Sequence, residues 1–193
     1  MNKAVFLDRD GVINEIIYHK EMGILDSPSN ADEIKLFPNV GKAINNFKKL
    51  GYKVIVVSNQ PGIAKDKFDM KGFEKMKEKF HSELEKQGAE VDAEYYCLHH
   101  PEGVNKEYTG VCDCRKPKPG MILQAAKEHD IDLSESWMIG DGVTDMQAGQ
   151  KAGVKTIFIG RSKCDLCNLF EDEKVKPLHI SPNLYKASLF IKK

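Results

Sequence analysis

Three things are scarce in this chain of 193 residues. The first is apolar length. No apolar run approaches the roughly 18–20 residues of a membrane-spanning helix. The N-terminus also lacks a basic segment followed by an apolar core, because Asp8 interrupts it at once. We expect no signal peptide, no membrane partner and a cytoplasmic location. The second is charge of one sign. Lys+Arg and Asp+Glu are both 29, so the formal net charge is zero. No global basic field invites nucleic acid or an anionic membrane, and any anion site must be built locally. The third is cysteine. The five are Cys97, Cys112, Cys114, Cys164 and Cys167, and in a reducing compartment such clustering suggests metal more than disulfides.

What is present is an alternation of short apolar runs and amphipathic segments, without internal repeat or low-complexity linker. Residues 4–7 predict a buried strand. In "NVGKAINNFKKLG", Val40, Ala43, Ile44 and Phe47 share one helical face and Gly51 ends it. "YKVIVVSN" reads as a second strand. Phe73, Met76, Phe80 and Leu84 form the stripe of a longer helix. "VDAEYYC" is a third strand, and residues 98–118 lack periodicity and read as an ordered excursion. A helix beginning near Pro119, a strand "SWMIGD", a short helix "TDMQAGQKAG" and a strand "VKTIFIG" follow. "SPNLYKASLFIKK" predicts a last helix capped by Ser181 or Asn183. Strands alternating with helices imply an α/β fold, a parallel sheet covered on both faces, in one domain spanning 1–193.

Polar residues stand just past three strand ends: Asp8, Ser58-Asn59-Gln60 and Asp141. In open parallel sheets that edge binds ligands. Polar residues also mark ordinary strand ends, but two carboxylates directly abutting buried runs ask for more. On extended backbone Asp8 and Asp10 project to the same side, so their charges repel. A hard cation such as Mg²⁺ would offset this, with Asp141 completing the set. Gly11 allows a sharp turn and close approach of an anion. Ser58 offers a hydroxyl, and Lys116 or Lys118 of "CRKPKPG" a fixed positive charge. Such parts suit phosphoryl transfer through a carboxylate nucleophile, with a second carboxylate moving protons.

"FLDRDG", "SNQPGIA", "CRKPKPG" and "GDGVTD" stand in this order. The chain resembles the haloacid dehalogenase (HAD) superfamily of phosphatases over about residues 3–160. Within it the chain is most similar to the heptose-bisphosphate 7-phosphatases and the related histidinol-phosphate phosphatases. The resemblance implies a HAD-like Rossmannoid three-layer sandwich with a parallel central sheet and no large cap domain. It implies Asp8 as nucleophile and Asp10 as general acid/base. It also implies Ser58 and Lys116 on the phosphoryl oxygens, and Arg115 on a second phosphate or the sugar. Mg²⁺ would be held by the Asp8 side chain, the Asp10 carbonyl and the Asp141 side chain, supported by Asp145. Ile16, Ile17, Tyr18 and His19, with Ser58, Asn59, Gln60 and Pro61, would line the substrate pocket. Two departures touch specificity. Gly142 stands where relatives commonly carry Lys or Arg, and Lys65-Asp66 where Arg-Gly is usual.

Cys97-x-His99 and Cys112-x-Cys114 offer three thiolates and an imidazole, the donor set of a closed structural Zn²⁺ site, although their separation is no standard finger spacing. The resemblance implies that Zn²⁺ sits there and pins the loop of about residues 97–114 ahead of Arg115 and Lys116. The histidinol-phosphate phosphatases carry a shorter loop here, which favours the heptose branch. His100 reads as structural. Cys164 and Cys167 read as two reduced thiols in a surface turn, with redox or further metal use as the alternative. His19, His81 and His129 show no evident partner in the sequence, though His19 is placed to touch substrate. The expected partner is a small sugar phosphate, the expected assembly a monomer.

Two other classes compete. A receiver-type signalling switch also uses an aspartyl-phosphate, Mg²⁺ and a lysine, but has no carboxylate placed like Asp10 to discharge it. A zinc interaction module would leave Asp8, Asp10 and Asp141 unexplained. Nucleic-acid end phosphatases share the opening motif but need a basic groove.

Overall fold

A computed structural model describes residues 1–19, 24–160 and 174–191. Its centre is a six-stranded sheet in the order β5-β4-β1-β6-β7-β8, with every pair parallel. The strands are β1 (Lys3–Leu7), β4 (Tyr52–Asn59), β5 (Ala93–Cys97), β6 (Trp137–Gly140), β7 (Lys155–Ile159) and β8 (His179–Ser181). The helices are α1 (Val40–Lys49), α2 (Met70–Lys86), α3 (Gly120–Glu128), α4 (Val143–Ala152) and α5 (Leu184–Phe190). No helix among the described residues is long and apolar enough to cross a membrane.

The period-2 alternation of the strands sorts the core into two layers. Val5 and Leu7 of β1 with Val54 and Val56 of β4 pack beneath Ile44 and Phe47 of α1, Phe73, Met76, Phe80 and Leu84 of α2, and Leu184 of α5. Ala4, Phe6, Ile55 and Val57 face the other way, onto Met121, Ile122 and Ala125 of α3 and Ala148 and Ala152 of α4. Strands buried on both faces need continuous apolar runs, which is why these were plain in the sequence.

The last helix starts at Leu184, and the Asn183 side chain accepts from Lys186 N at 2.9 Å. Of the two expected caps it is thus Asn183; Ser181 lies in β8. Two features carry no sequence signal. β2 (Ile17–His19) and β3 (Ile24–Asp26) form a small antiparallel hairpin, and β8 adds a three-residue edge strand. With a 3-10 turn at Ala31–Glu33, the hairpin is the only regular structure among the described residues between β1 and α1, where a cap would insert. Cys164 and Cys167 lie outside the described residues.

Candidate active site

β1, β4 and β6 run parallel side by side, so their C-terminal ends open on one edge. Asp8 follows β1, Ser58 and Asn59 end β4, and Asp141 follows β6. Lys116 arrives from the 98–118 excursion and is 3% exposed. Asn59 brackets its backbone: Lys116 N donates to Asn59 Oδ1 and Asn59 Nδ2 donates to Lys116 O, both at 3.0 Å. The Lys116 Nζ donates to the Val57 carbonyl at 2.9 Å and pairs with Asp8 Oδ1 at 2.9 Å and Asp145 Oδ1 at 2.6 Å. Burial opposes its charge, but Asp145 and Asp8 outweigh burial and hold the ammonium protonated above its ordinary range. Lys118, the alternative cation, is half-buried and pairs with Asp113 at 2.8 Å, away from these carboxylates.

Asp8 Oδ1 also accepts from Arg9 N at 2.7 Å, whereas Oδ2 has no hydrogen-bond partner among the described residues. One oxygen is therefore fixed and the other is left for an electrophile. Burial, opposed by Lys116 and reinforced by Asp145 and Asp10, pushes the Asp8 carboxyl up to about 6. Asp141 is pushed up to about 8 by burial, then by Asp8 and Asp145. Carboxylate oxygens of Asp8, Asp141 and Asp145 lie within 4.8 Å of one another. This oxygen-only set with surplus negative charge fits a hard cation such as Mg²⁺. Asp145, expected to support that set from behind, has its own carboxylate in it, while its Oδ2 accepts from Gly142 N at 2.9 Å and caps α4. Gly142 has extended backbone, φ −111°. Gly11 is different: its φ is +81°, and a Cβ there would fall 1.9 Å from Asp141 Oδ2.

The Asp10 carboxylate is not one of the three that cluster at the strand edge. β1 ends at Leu7, and the Arg9 carbonyl accepts from Ile13 N (2.8 Å) and Asn14 N (3.0 Å), closing a turn. Asp10 therefore meets other partners. Its Oδ1 accepts from Arg9 Nε and Asn14 Nδ2, both at 2.9 Å. Its Oδ2 accepts from Gln60 Nε2 at 2.8 Å and Arg9 Nη2 at 3.3 Å. Burial alone would raise this carboxyl; the Arg9 charge and these donors outweigh it and hold the group below the usual range. Arg9 itself is fully buried, and nothing in the sequence around it marks it for burial.

The four zinc-type donors converge. Cys97 Sγ lies 3.5 Å from Cys112 Sγ and 3.1 Å from Cys114 Sγ, and Cys112 and Cys114 are 3.2 Å apart. His99 Nδ1 is 3.9 Å from Cys97 Sγ and 3.6 Å from Cys114 Sγ. A tetrahedron with Zn–S bonds of about 2.3 Å has edges near 3.8 Å, so the set fits Zn²⁺ with small adjustment. The Arg115 Nη1 donates to the His99 carbonyl at 3.1 Å, tying the expected substrate contact to a donor residue. His100 organises the loop through its backbone: its N donates to Tyr108 O (3.1 Å), and its O accepts from Gly103 N (3.1 Å) and Gly110 N (3.2 Å). His81, without an evident partner in sequence, lies 3.1 Å from Glu94.

A cavity of about 700 Å³ opens beside Asp141 and Gly11, lined also by Glu15, Ile16, Asn39 and Tyr185. Of the expected pocket residues it takes in Ile16. Ile17, Tyr18 and His19 form β2 and do not line this cavity, and Tyr18 is 57% exposed. Ser58 and Gln60 are buried, the Ser58 Oγ accepting from Gln60 Nε2 at 3.1 Å, and the Pro61 carbonyl accepts from Lys65 N in a turn. Gln60 and Asn59 thus hold protein groups, and neither side chain lines this cavity.

The chain has relatives among the phosphatases. The HAD-hydrolase-like family model matches residues 113–187. The D-glycero-beta-D-manno-heptose-1,7-bisphosphate 7-phosphatase of Haemophilus influenzae is 44% identical over 156 residues, 80% of this chain and 79% of that one. Its counterpart in Photorhabdus laumondii is 41% identical over 159 residues, 82% and 80% of the two chains. The crystal structure of D,D-heptose 1,7-bisphosphate phosphatase from B. bronchiseptica, complexed with magnesium and phosphate, superposes with a TM-score of 0.78 at 27% identity, covering 97% of each chain. With this identity over four-fifths of its length, the chain belongs to the HAD-like phosphatases, in the group of the heptose-bisphosphate 7-phosphatases.

Proposed function

We propose that this phosphatase removes the 7-phosphate from D-glycero-D-manno-heptose 1,7-bisphosphate through an aspartyl-phosphate on Asp8. The carrying observation is the pairing of Asp8 Oδ1 with Lys116 and Arg9 N while Oδ2 stays open at the strand edge. That arrangement orients a nucleophile. Asp8 Oδ2 attacks phosphorus, and Lys116 with the Ser58 hydroxyl steadies the phosphoryl oxygens as charge develops. Asp10, ionised in the free protein, takes up a proton as the phosphate's negative charge arrives, gives it to the departing sugar oxygen, then takes one from the water that hydrolyses the acyl phosphate. Asp8, Asp141 and Asp145, with the Asp10 carbonyl as a further candidate, would hold Mg²⁺, which when bound offsets the negative charge of carboxylates and phosphate. Cys97, His99, Cys112 and Cys114 would hold Zn²⁺ and keep Arg115 in place for the substrate's other phosphate or sugar. The cavity at Ile16 and Glu15 gives room for the polyol.

The test is a phosphate-release screen with Mg²⁺ over both anomers of heptose 1,7-bisphosphate and histidinol phosphate. We expect one heptose anomer to have the highest kcat/KM. Preference for histidinol phosphate would move the chain to the other branch, and a lasting stoichiometric acyl-phosphate without turnover would favour the switch.

A further inference from the structure

A buried arginine is an unlikely choice for stability. Removing a guanidinium from water is expensive, and apolar residues of similar volume often serve a core as well or better. Yet Arg9 is 0% exposed, and its Nη1 is buried with no hydrogen-bond partner. Its guanidinium carbon lies 5.9 Å from the Tyr96 ring centroid. The rest of the guanidinium is committed to one object. Nε and Nη2 make a two-pronged contact with the Asp10 carboxylate at 2.9 and 3.3 Å. Nη2 also donates to Gln60 Oε1 at 2.8 Å, which turns the Gln60 amide so that Nε2 points to Asp10 Oδ2 at 2.8 Å and Ser58 Oγ at 3.1 Å. Arg9, Gln60 and Asp10 close a triangle, and Asn14 seals the remaining side of Oδ1.

We propose that Arg9 and Gln60 are positioning residues that act through Asp10. They fix the orientation of its carboxylate relative to Asp8 and Ser58, and neither contacts substrate. This rests on the reading of Asp10 as the proton-transfer group. It replaces the expectation that Gln60 lines the pocket. The fork is the essential feature: two parallel N–H donors fix the plane of a carboxylate, whereas a lysine supplies charge without that orientation.

In the first step the Asp8 O–P bond forms, the P–O bond to the leaving group breaks, and the proton that Asp10 takes up when the phosphate's negative charge arrives passes to the departing oxygen. Phenolates of low pKa depart without that proton. Loss of acid catalysis therefore shows as a deficit in kcat/KM that grows with leaving-group pKa, and general acid catalysis contributes roughly 10²–10⁴-fold in all. The experiment compares Asp10→Asn, Arg9→Lys and Gln60→Met across para-substituted phenyl phosphates, from 4-nitrophenyl to 4-methoxyphenyl. Thermal unfolding of each variant is followed as well. Both positioning variants should reproduce the Asp10→Asn trend, with a deficit about 10-fold larger at the poor-leaving end. In an Asp10→Asn background, the same two changes should cost little further activity on the best substrate, because the group they orient is gone.

A uniform deficit along the series, with equal loss in both backgrounds, would mean a structural or substrate-contact role and overturns the inference while the role of Asp10 stands. If Asp10→Asn itself gives no leaving-group trend, that role and the inference fall together. Gln60→Met carries no charge change and decides the matter should Arg9→Lys fail to fold.

Discussion

Lys116 holds one positive charge among Asp8, Asp141 and Asp145, and its neighbours have opposite effects when removed. Lys116 is buried and in contact with two of the carboxylates. Deleting one partner of a buried ionic cluster leaves uncompensated charge, which typically costs roughly 3–5 kcal/mol. Lys116→Met should therefore lower the unfolding temperature of magnesium-free protein markedly and abolish turnover. Asp8→Asn should abolish turnover too, because an amide is a poor nucleophile. It should leave the unfolding temperature unchanged or raised, because it removes a carboxyl already pushed up to about 6 by burial and its neighbours. Parallel activity and calorimetric measurements check both. Equal thermal stability of Lys116→Met and wild type, or most activity surviving in Asp8→Asn, contradicts the account.

The loop of the cysteine and histidine donors shows how one element serves another. It has no regular structure between Leu98 and Lys118, so its shape depends on the four converging donors, on His100 and on the Asn59 bracket. These anchors divide the work. Arg115 is tied to the His99 carbonyl, inside the donor cluster, whereas Lys116 is held from β4. Cys112→Ser should accordingly lower the zinc content and raise KM more than it lowers kcat, as measured by metal analysis and steady-state kinetics. Full zinc occupancy in that variant argues against four protein donors. The same contrast between anchored and self-announcing elements explains what the sequence made legible. β1, β4, β6 and β7 are buried on both faces over most of their length and are mainly apolar there, so the sheet and the strand-end positions of Asp8, Ser58 and Asp141 can be read directly. The β2–β3 hairpin and β8 are three residues long, with Tyr18, Leu25 and Ile180 exposed, and no burial constraint wrote a pattern into them. The Asp10 cage was hidden for a different reason. Reasoning from i, i+2 spacing assumes a strand that stops one residue earlier, and nothing in the composition of "DRDG" marks Arg9 as buried.

At the scale of the whole molecule, the strand-edge carboxylates make the fold pH-sensitive when no cation is bound. Asp141 is raised to about 8 and Asp8 to about 6, against ordinary values near 3.8. Between about pH 4 and 8 the folded protein thus binds more protons than the unfolded chain. Stability must then fall as pH rises through this range, since the slope follows protons bound in the unfolded minus the folded state. Asp10 is lowered, so its stabilising contribution is present above the unfolded value and is lost only as pH falls below it. It stays constant across the window. His100 is lowered as well, by burial and then by Lys65 and Arg115, which works in the opposite direction below its ordinary range. It lies on the loop surface, where solvent screening keeps such a contribution small. Protein dialysed free of magnesium but retaining zinc should therefore lose thermal stability steadily from pH 5 to pH 8. Added Mg²⁺ should restore it most at the alkaline end, because a cation takes the place of the protons and releases them on binding. Asp141→Asn should flatten the magnesium-free slope. A magnesium-free wild type whose unfolding temperature is constant or rises from pH 5 to 8 would show that these carboxylates do not share their charge as the geometry requires.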